Sequence, residues 1–200
     1  MIETHKLLPL IALVILVMFF VLACNQQKRT EPHVIINSQL GEIEIELYPA
    51  KAPKTVAAFL SNVDAGVYNN TSFYRVLKAD EMPTDHNTGL IQGGVYKTNP
   101  GIEKTAIPHE STTESGLSHT SGTISMARTE PGTATTEFFI CIGDQSSLDA
   151  GASGTPDGQG FAAFGKVVKG MSIVRKIQQQ SSHGDAFDEQ ILISSIRLLK

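Results

Sequence analysis

The residue best placed to do chemistry in this sequence is Arg75, within Thr71–Gly94, TSFYRVLKADEMPTDHNTGLIQGG. Alternation with a period of two over Phe73 to Leu77 predicts a strand with Phe73, Arg75 and Leu77 on one face and Tyr74 and Val76 on the other. A guanidinium then sits between apolar neighbours, while the acids nearest in sequence, Asp80 and Glu81, lie beyond the strand. Taken alone, such a residue reads as an edge arginine with its stem packed and its head in water. The alternative is a permanently charged fork of N–H donors aimed at a substrate.

Other chemistries lack their residues. The six histidines, His5, His33, His86, His109, His119 and His183, include no i, i+4 pair and have no cysteine partner, so zinc sites of the usual spacing are not expected. There is no G-x-S-x-G elbow and no phosphate-binding loop, and Gly93-Gly94 opens no βαβ unit. Asp185 and Asp188 sit in a polar stretch where solvation explains them. The net charge is −4 and the basic residues are scattered, so nucleic acid is not an expected partner. What is left is binding, or a reaction without bond cleavage, and no cofactor or metal is called for.

The elements that must position Arg75 are mostly strands. Ile43, Ile45 and Leu47 alternate with Glu42, Glu44 and Glu46, and turn residues at Asn37–Gly41 make a hairpin. Further strands are predicted at Thr71–Leu77, Leu90–Gln92, Thr123–Ala127, Glu137–Ile142, Phe161–Val168 and Glu189–Leu199. Pro53 opens a helix with Val56, Phe59, Leu60 and Val63 on one face and Gly66 at its end. A second helix spans Met171 to Gln179. Many short strands with two helices predict an all-β-dominated fold, a closed antiparallel barrel capped by the helices, because closure removes exposed strand edges.

The chain has 200 residues, room for one domain and an appendage. The appendage is the N-terminus, where residues 7–23 form an unbroken apolar run of 17. That length is at the lower limit for a membrane-spanning helix and slightly long for a signal-peptide core. Val21-Leu22-Ala23-Cys24 resembles the bacterial lipobox, in which cleavage precedes a cysteine that carries lipid. This reading divides the chain into a signal peptide (1–23), a tether (24–32) and a domain (33–200). With Asn25 after the cysteine, the resemblance favours a lipid-anchored protein of the outer membrane facing the periplasm. The alternative is an uncleaved helix in the inner membrane. Once Cys24 is acylated, Cys141 has no mate and reads as a buried, inert thiol.

Four blocks, FYRV, IQGG, ISMARTEPGTATTEFFICIGD with a following LD, and GFAAFGKVVKGM, resemble in composition and order those of the cyclophilin family of peptidyl-prolyl cis-trans isomerases. The resemblance runs from about His33 to Lys200. It implies an eight-stranded antiparallel β-barrel with two α-helices and a groove on its outside that takes proline-containing polypeptides. Arg75 matches the family's catalytic arginine, and Gln92 the glutamine that orients it and the substrate carbonyl. Phe139, Leu148 and Leu90 match the apolar pocket, Ala127 the small groove residue, and Arg128 a position that contacts substrate through its backbone. Phe161 replaces a histidine of the pocket, and Glu137 replaces a glutamine, which adds an anion that could orient Arg75 or compete for it. Ser147 replaces the tryptophan that contacts cyclosporin, so weak binding of that drug is expected. Gly89 stands where relatives have an aromatic residue, leaving a gap in the pocket that Met82 could fill. The chain is expected to act as a monomeric isomerase on exported or envelope proteins. The alternative is a cyclophilin-fold chaperone or binding module with little catalysis, motivated by Gly89 and Glu137.

Overall fold

The computed structural model describes residues 31–79, 88–102 and 104–199. The apolar run, Cys24 and the segment 80–87 with Asp80, Glu81 and Met82 lie outside the described residues. Among the described residues no helix is long and apolar enough to cross a membrane.

The first hairpin pairs β1 (His33–Ser38) with β2 (Gly41–Leu47). Then follow α1 (Pro53–Asp64), β3 (Thr71–Lys78), β4 (Gly89–Gly94), the single turn α2 (Thr112–Ser115), β5 (Thr123–Met126) and β6 (Phe138–Ile142). A 3₁₀ turn (Ser146–Leu148), β7 (Ala162–Lys169), α3 (Met171–Gln178), β8 (Ser182–His183) and β9 (Ala186–Leu198) complete the chain. Antiparallel pairing runs β1-β2-β7-β5-β6-β4-β3-β9, and β9 returns to β1, so eight strands close a barrel. The two-residue β8 lies outside that count as a hairpin partner of β9. α2 is a helical turn beyond the two expected helices, opened by the capping box of Ser111 and Glu114.

The alternation read from the sequence builds the interior. Ile43, Ile45 and Leu47 are fully buried, joined by Val34, Ile36, Phe73, Val76, Ile91, Ile124, Phe138, Ile140 and Phe164. Glu44, expected on the wet face, is itself buried, with His33 Nδ1 at 2.8 Å and Lys169 Nζ at 2.9 Å. α3 lies against β2 and also against β3, β4 and β6 on the opposite side of the ring, as an element across an open end must. α1 sends Phe59 against Tyr68, Phe138 and Phe164, with ring centroids 5.3, 6.0 and 5.0 Å away.

α1 starts without a cap of its own, since Ala52 at the N-cap offers no acceptor. A carboxylate remote in sequence substitutes. Buried Glu110 accepts from Lys54 N at 3.1 Å, Thr55 N at 2.8 Å and Thr55 Oγ1 at 2.7 Å. Negative charge also suits the N-terminal end of the helix dipole. Glu110→Ala should therefore lower unfolding free energy by about 1–3 kcal/mol in urea titration, the cost of leaving a buried donor unpaired. Glu110→Gln, which keeps an acceptor oxygen, should lose less.

Candidate active site

The period-two expectation fails at one point of β3, and the site depends on that failure. Phe73 pairs with Gly93 of β4 and Arg75 with Gln92, so Tyr74 and Arg75 together oppose a single residue. This is a β-bulge. Phe73 and Val76 both enter the barrel, while Tyr74, Arg75 and Leu77 line a groove on its outside. Phe73 therefore does not share a face with Arg75 and Leu77; the extra residue reverses the alternation between them.

Because the bulge brings two side chains over one residue, Gln92 is gripped from both ends. Arg75 Nη1 donates to Gln92 Oε1 at 3.0 Å, and Gln92 Nε2 donates to Tyr74 Oη at 2.8 Å. Tyr74 Oη in turn donates to Glu137 Oε2 at 2.7 Å. The other carboxylate oxygen, Oε1, accepts from Val95 N at 2.8 Å, Tyr96 N at 3.1 Å and Thr136 Oγ1 at 3.1 Å. Gly94 allows this closeness, since a Cβ there would lie 2.5 Å from the carboxylate and its φ is +144°. Burial and the bond to Glu137 push the Tyr74 hydroxyl's pKa well up, so it stays a donor. Glu137 thus neither pairs with Arg75 nor competes for it; it anchors the far end of the chain that orients Gln92.

The acid that does reach Arg75 comes from the stretch read as merely solvated. Asp185 Oδ2 accepts from Arg75 Nε at 2.7 Å, and the guanidinium holds this carboxyl below its usual range. An ion pair this open to water adds little stability. Its effect is directional. With Nε and one hydrogen of Nη1 engaged, the remaining N–H groups of Arg75 have no protein partner among the described residues.

All nine residues expected at the site, Arg75, Gln92, Phe139, Leu90, Leu148, Phe161, Ala127, Arg128 and Glu137, line one groove of about 700 Å³. Leu90, Phe139 and Cys141 form an apolar cluster separate from the barrel interior, with Ala127, Leu148 and Phe161 packed on it. The Phe161 ring meets Phe139 edge-on at 5.2 Å and is covered by the Arg128 guanidinium at 5.1 Å. Arg128 itself is turned into the neighbouring loop, bonded by both nitrogens of its fork to Asp157 at 2.7 and 2.9 Å and by Nε to Gly160 O at 3.0 Å. Only its backbone is left to face a ligand. Cys141 is fully buried and burial pushes its thiol pKa well up, which makes it inert floor.

At Gly89 the backbone has no room for a side chain. This residue pairs with Lys78 and Ile142, and a Cβ at this position would lie 2.1 Å from Leu77 O. Gln178 of α3 adds bonds of 3.1 Å to Leu77 O and Thr88 O, closing the base of the β3–β4 hairpin. The role offered to Met82 lies outside the described residues.

Tyr74, Tyr96, Asp185 and His119 carry the site yet escape sequence reasoning. His119 is fully buried behind the pocket, stacked on Phe139 at 5.9 Å, with Nε2 at 3.1 Å from Ser125 Oγ and Nδ1 on Asp149. Burial lowers its pKa against the opposing pull of Asp149, so the neutral ring serves as packing. Nothing in SHTSG singles out this histidine. For Tyr74 a signal exists: Phe73 and Val76 are both strongly apolar yet three residues apart, a spacing that a regular strand cannot bury on one face.

The groove thus joins an oriented cation to an apolar cluster built on Leu90 and Phe139. Among the described residues it offers no nucleophile aligned with a base. Comparison with known proteins gives this geometry a family. Residues 33–198 match the family described as cyclophilin type peptidyl-prolyl cis-trans isomerase/CLD. A peptidyl-prolyl cis-trans isomerase of Acinetobacter baylyi is 41% identical over 145 residues, covering 72% of this chain and 70% of the relative. Isomerase A of Dickeya dadantii is 35% identical over 86% of both chains, and isomerase B of Escherichia coli 34% identical over 82% of this chain and 97% of its own. A cyclophilin-type isomerase from Cryptosporidium parvum superposes with a TM-score of 0.69 at 22% identity, covering 85% of this chain and 98% of the other, which establishes the shared barrel. The chain belongs to the cyclophilin family and is a peptidyl-prolyl cis-trans isomerase.

Proposed function

We propose that this isomerase works at the bacterial cell envelope, tethered through Cys24, and that Arg75 supplies its catalytic hydrogen bond. The observation that carries the residue assignment is the fixed guanidinium, whose remaining donors have no protein partner among the described residues, beside an apolar cluster.

An X-Pro peptide bond is kept planar by resonance, with a rotation barrier of roughly 18–20 kcal/mol, and isomerises unaided over tens to hundreds of seconds. Twisting frees the nitrogen lone pair, which a planar amide does not offer. A donor aimed at that nitrogen therefore binds the twisted state more strongly than either planar one, the condition for catalysis. Arginine keeps its charge at every working pH, so the donor is always available. Phe139, Leu90, Leu148 and Phe161 hold the proline ring, Gln92 orients both Arg75 and the substrate carbonyl, and Ala127 with the backbone of Arg128 lines the path of the chain. A solved structure of the Cryptosporidium relative, TM-score 0.68, was determined in the presence of the dipeptide Ala-Pro, which agrees with a proline-containing substrate. The rival reading, a binding module with little catalysis, loses one of its grounds because Glu137 is bonded to Tyr74 and to the Val95 and Tyr96 amides rather than to Arg75.

The anchor rests on sequence alone: the apolar run at 7–23, Ala23 before Cys24 and Asn25 after it. Acyl chains on Cys24 would hold the domain at a membrane far better than one chain could. A tether of residues 24–32 would let the barrel act on unfolded chains crossing the periplasm.

Two measurements test these assignments. In a coupled assay on an Ala-Pro tetrapeptide, Arg75→Ala should lower kcat/KM by about 10²–10³, the value of one well-placed donor at roughly 3–4 kcal/mol. Equal rates for parent and variant would reject the residue assignment. Mass spectrometry of the membrane-purified protein should find acylated Cys24 as the first residue; an intact Met1 would favour the uncleaved helix.

A further inference from the structure

We infer that Asp185, presented by the turn between β8 and β9, is a positioning residue of the isomerase reaction: its carboxylate fixes the plane of the Arg75 guanidinium so that the end of the fork faces the groove. This rests on Arg75 being the catalytic donor and adds what aims it.

The turn that carries Asp185 is fastened to the strand that carries Arg75. Asp185 O accepts from Val76 N at 2.8 Å, and Ala186 pairs with Arg75 in the ladder. Upstream of the turn, Lys78 Nζ donates to Gln180 O at 2.8 Å and to Ser182 Oγ at 2.9 Å. The carboxylate therefore has a backbone fixed relative to β3 on both sides. It meets Arg75 Nε at 2.7 Å while Gln92 meets Nη1 at 3.0 Å. Two bonds in the plane of a rigid guanidinium block rotation of that plane. Among the described residues they leave Nη2 and the second hydrogen of Nη1 for a ligand, both at the tip of the side chain.

An anion beside a catalytic cation also draws off part of its field. Here that loss is small, because the side chains of Arg75 and Asp185 are 39% and 56% exposed and water screens the pair. The ordering of a long, flexible side chain is not screened in this way, and arginine loses substantial rotamer freedom when fixed. Position outweighs neutralisation. The same exposure means that removing the carboxylate leaves the fold intact, so the consequence falls on turnover.

The test compares Asp185→Ala and Asp185→Asn, each in the parent and in the Arg75→Ala background, by kcat and KM on an Ala-Pro peptide. Asp185→Ala should lower kcat roughly fivefold, the worth of a typical hydrogen bond, with KM changed less than twofold. Asp185→Asn, which keeps an acceptor oxygen, should recover part of the loss. In the Arg75→Ala background neither substitution should change the rate further. The ¹H–¹⁵N signal of Arg75 Nε should be protected from solvent exchange in the parent and lose that protection in Asp185→Ala. An unchanged kcat, or the same loss in both backgrounds, overturns the inference. Full activity of Arg75→Ala alone is a different result: it removes the donor assignment itself.

Discussion

One inserted residue governs this molecule. The barrel interior has to be filled by both Phe73 and Val76, and in a regular strand residues three apart point to opposite faces. Tyr74 and Arg75 opposite Gln92 resolve the conflict by sharing one position of the partner strand. The consequence is chemical as well as steric. Two neighbouring side chains emerge on the same outer face, and each takes one end of the same amide. Neither atom of the Gln92 amide can then flip, and the orientation passes to Arg75.

Around that point the structure separates stability from function. The barrel interior and Phe59 from α1 supply the buried apolar area, whereas Leu90, Phe139 and Cys141 form a second small cluster outside it. β4 and β6 serve both, sending Ile91 and Ile140 inward and Leu90 and Phe139 outward. The groove therefore sits on paired strands, where a catalytic geometry is held more tightly than on loops. The loops close the remaining sides through Glu137 under Tyr96, Asp157 on Arg128 and Asp149 on His119.

Much of this was legible from residue order. Alternation at Ile43–Leu47 and helical spacing at Val56–Val63 marked the elements, and the cyclophilin-like blocks marked the groove. What escaped depended on chain folding back over long separations. Asp185 lies 110 positions from Arg75, so no local pattern links them. Glu137 was legible as an anion near the site, yet only the nest of Val95 and Tyr96 N–H groups shows why it ignores the arginine. At Gly89 a sequence shows the absent side chain and hides the carbonyl of Leu77, which leaves this backbone no room for one.

The central claim is that Arg75 acts on the twisted amide and hardly at all on the planar ones. Two-dimensional exchange NMR of an Ala-Pro peptide can separate binding from interconversion on the protein. With Arg75→Ala, the account predicts that dissociation constants for the cis and trans forms change less than about threefold while the on-protein interconversion rate falls by about 10²–10³. A variant that binds the peptide far more weakly but interconverts it at the parental rate would contradict it.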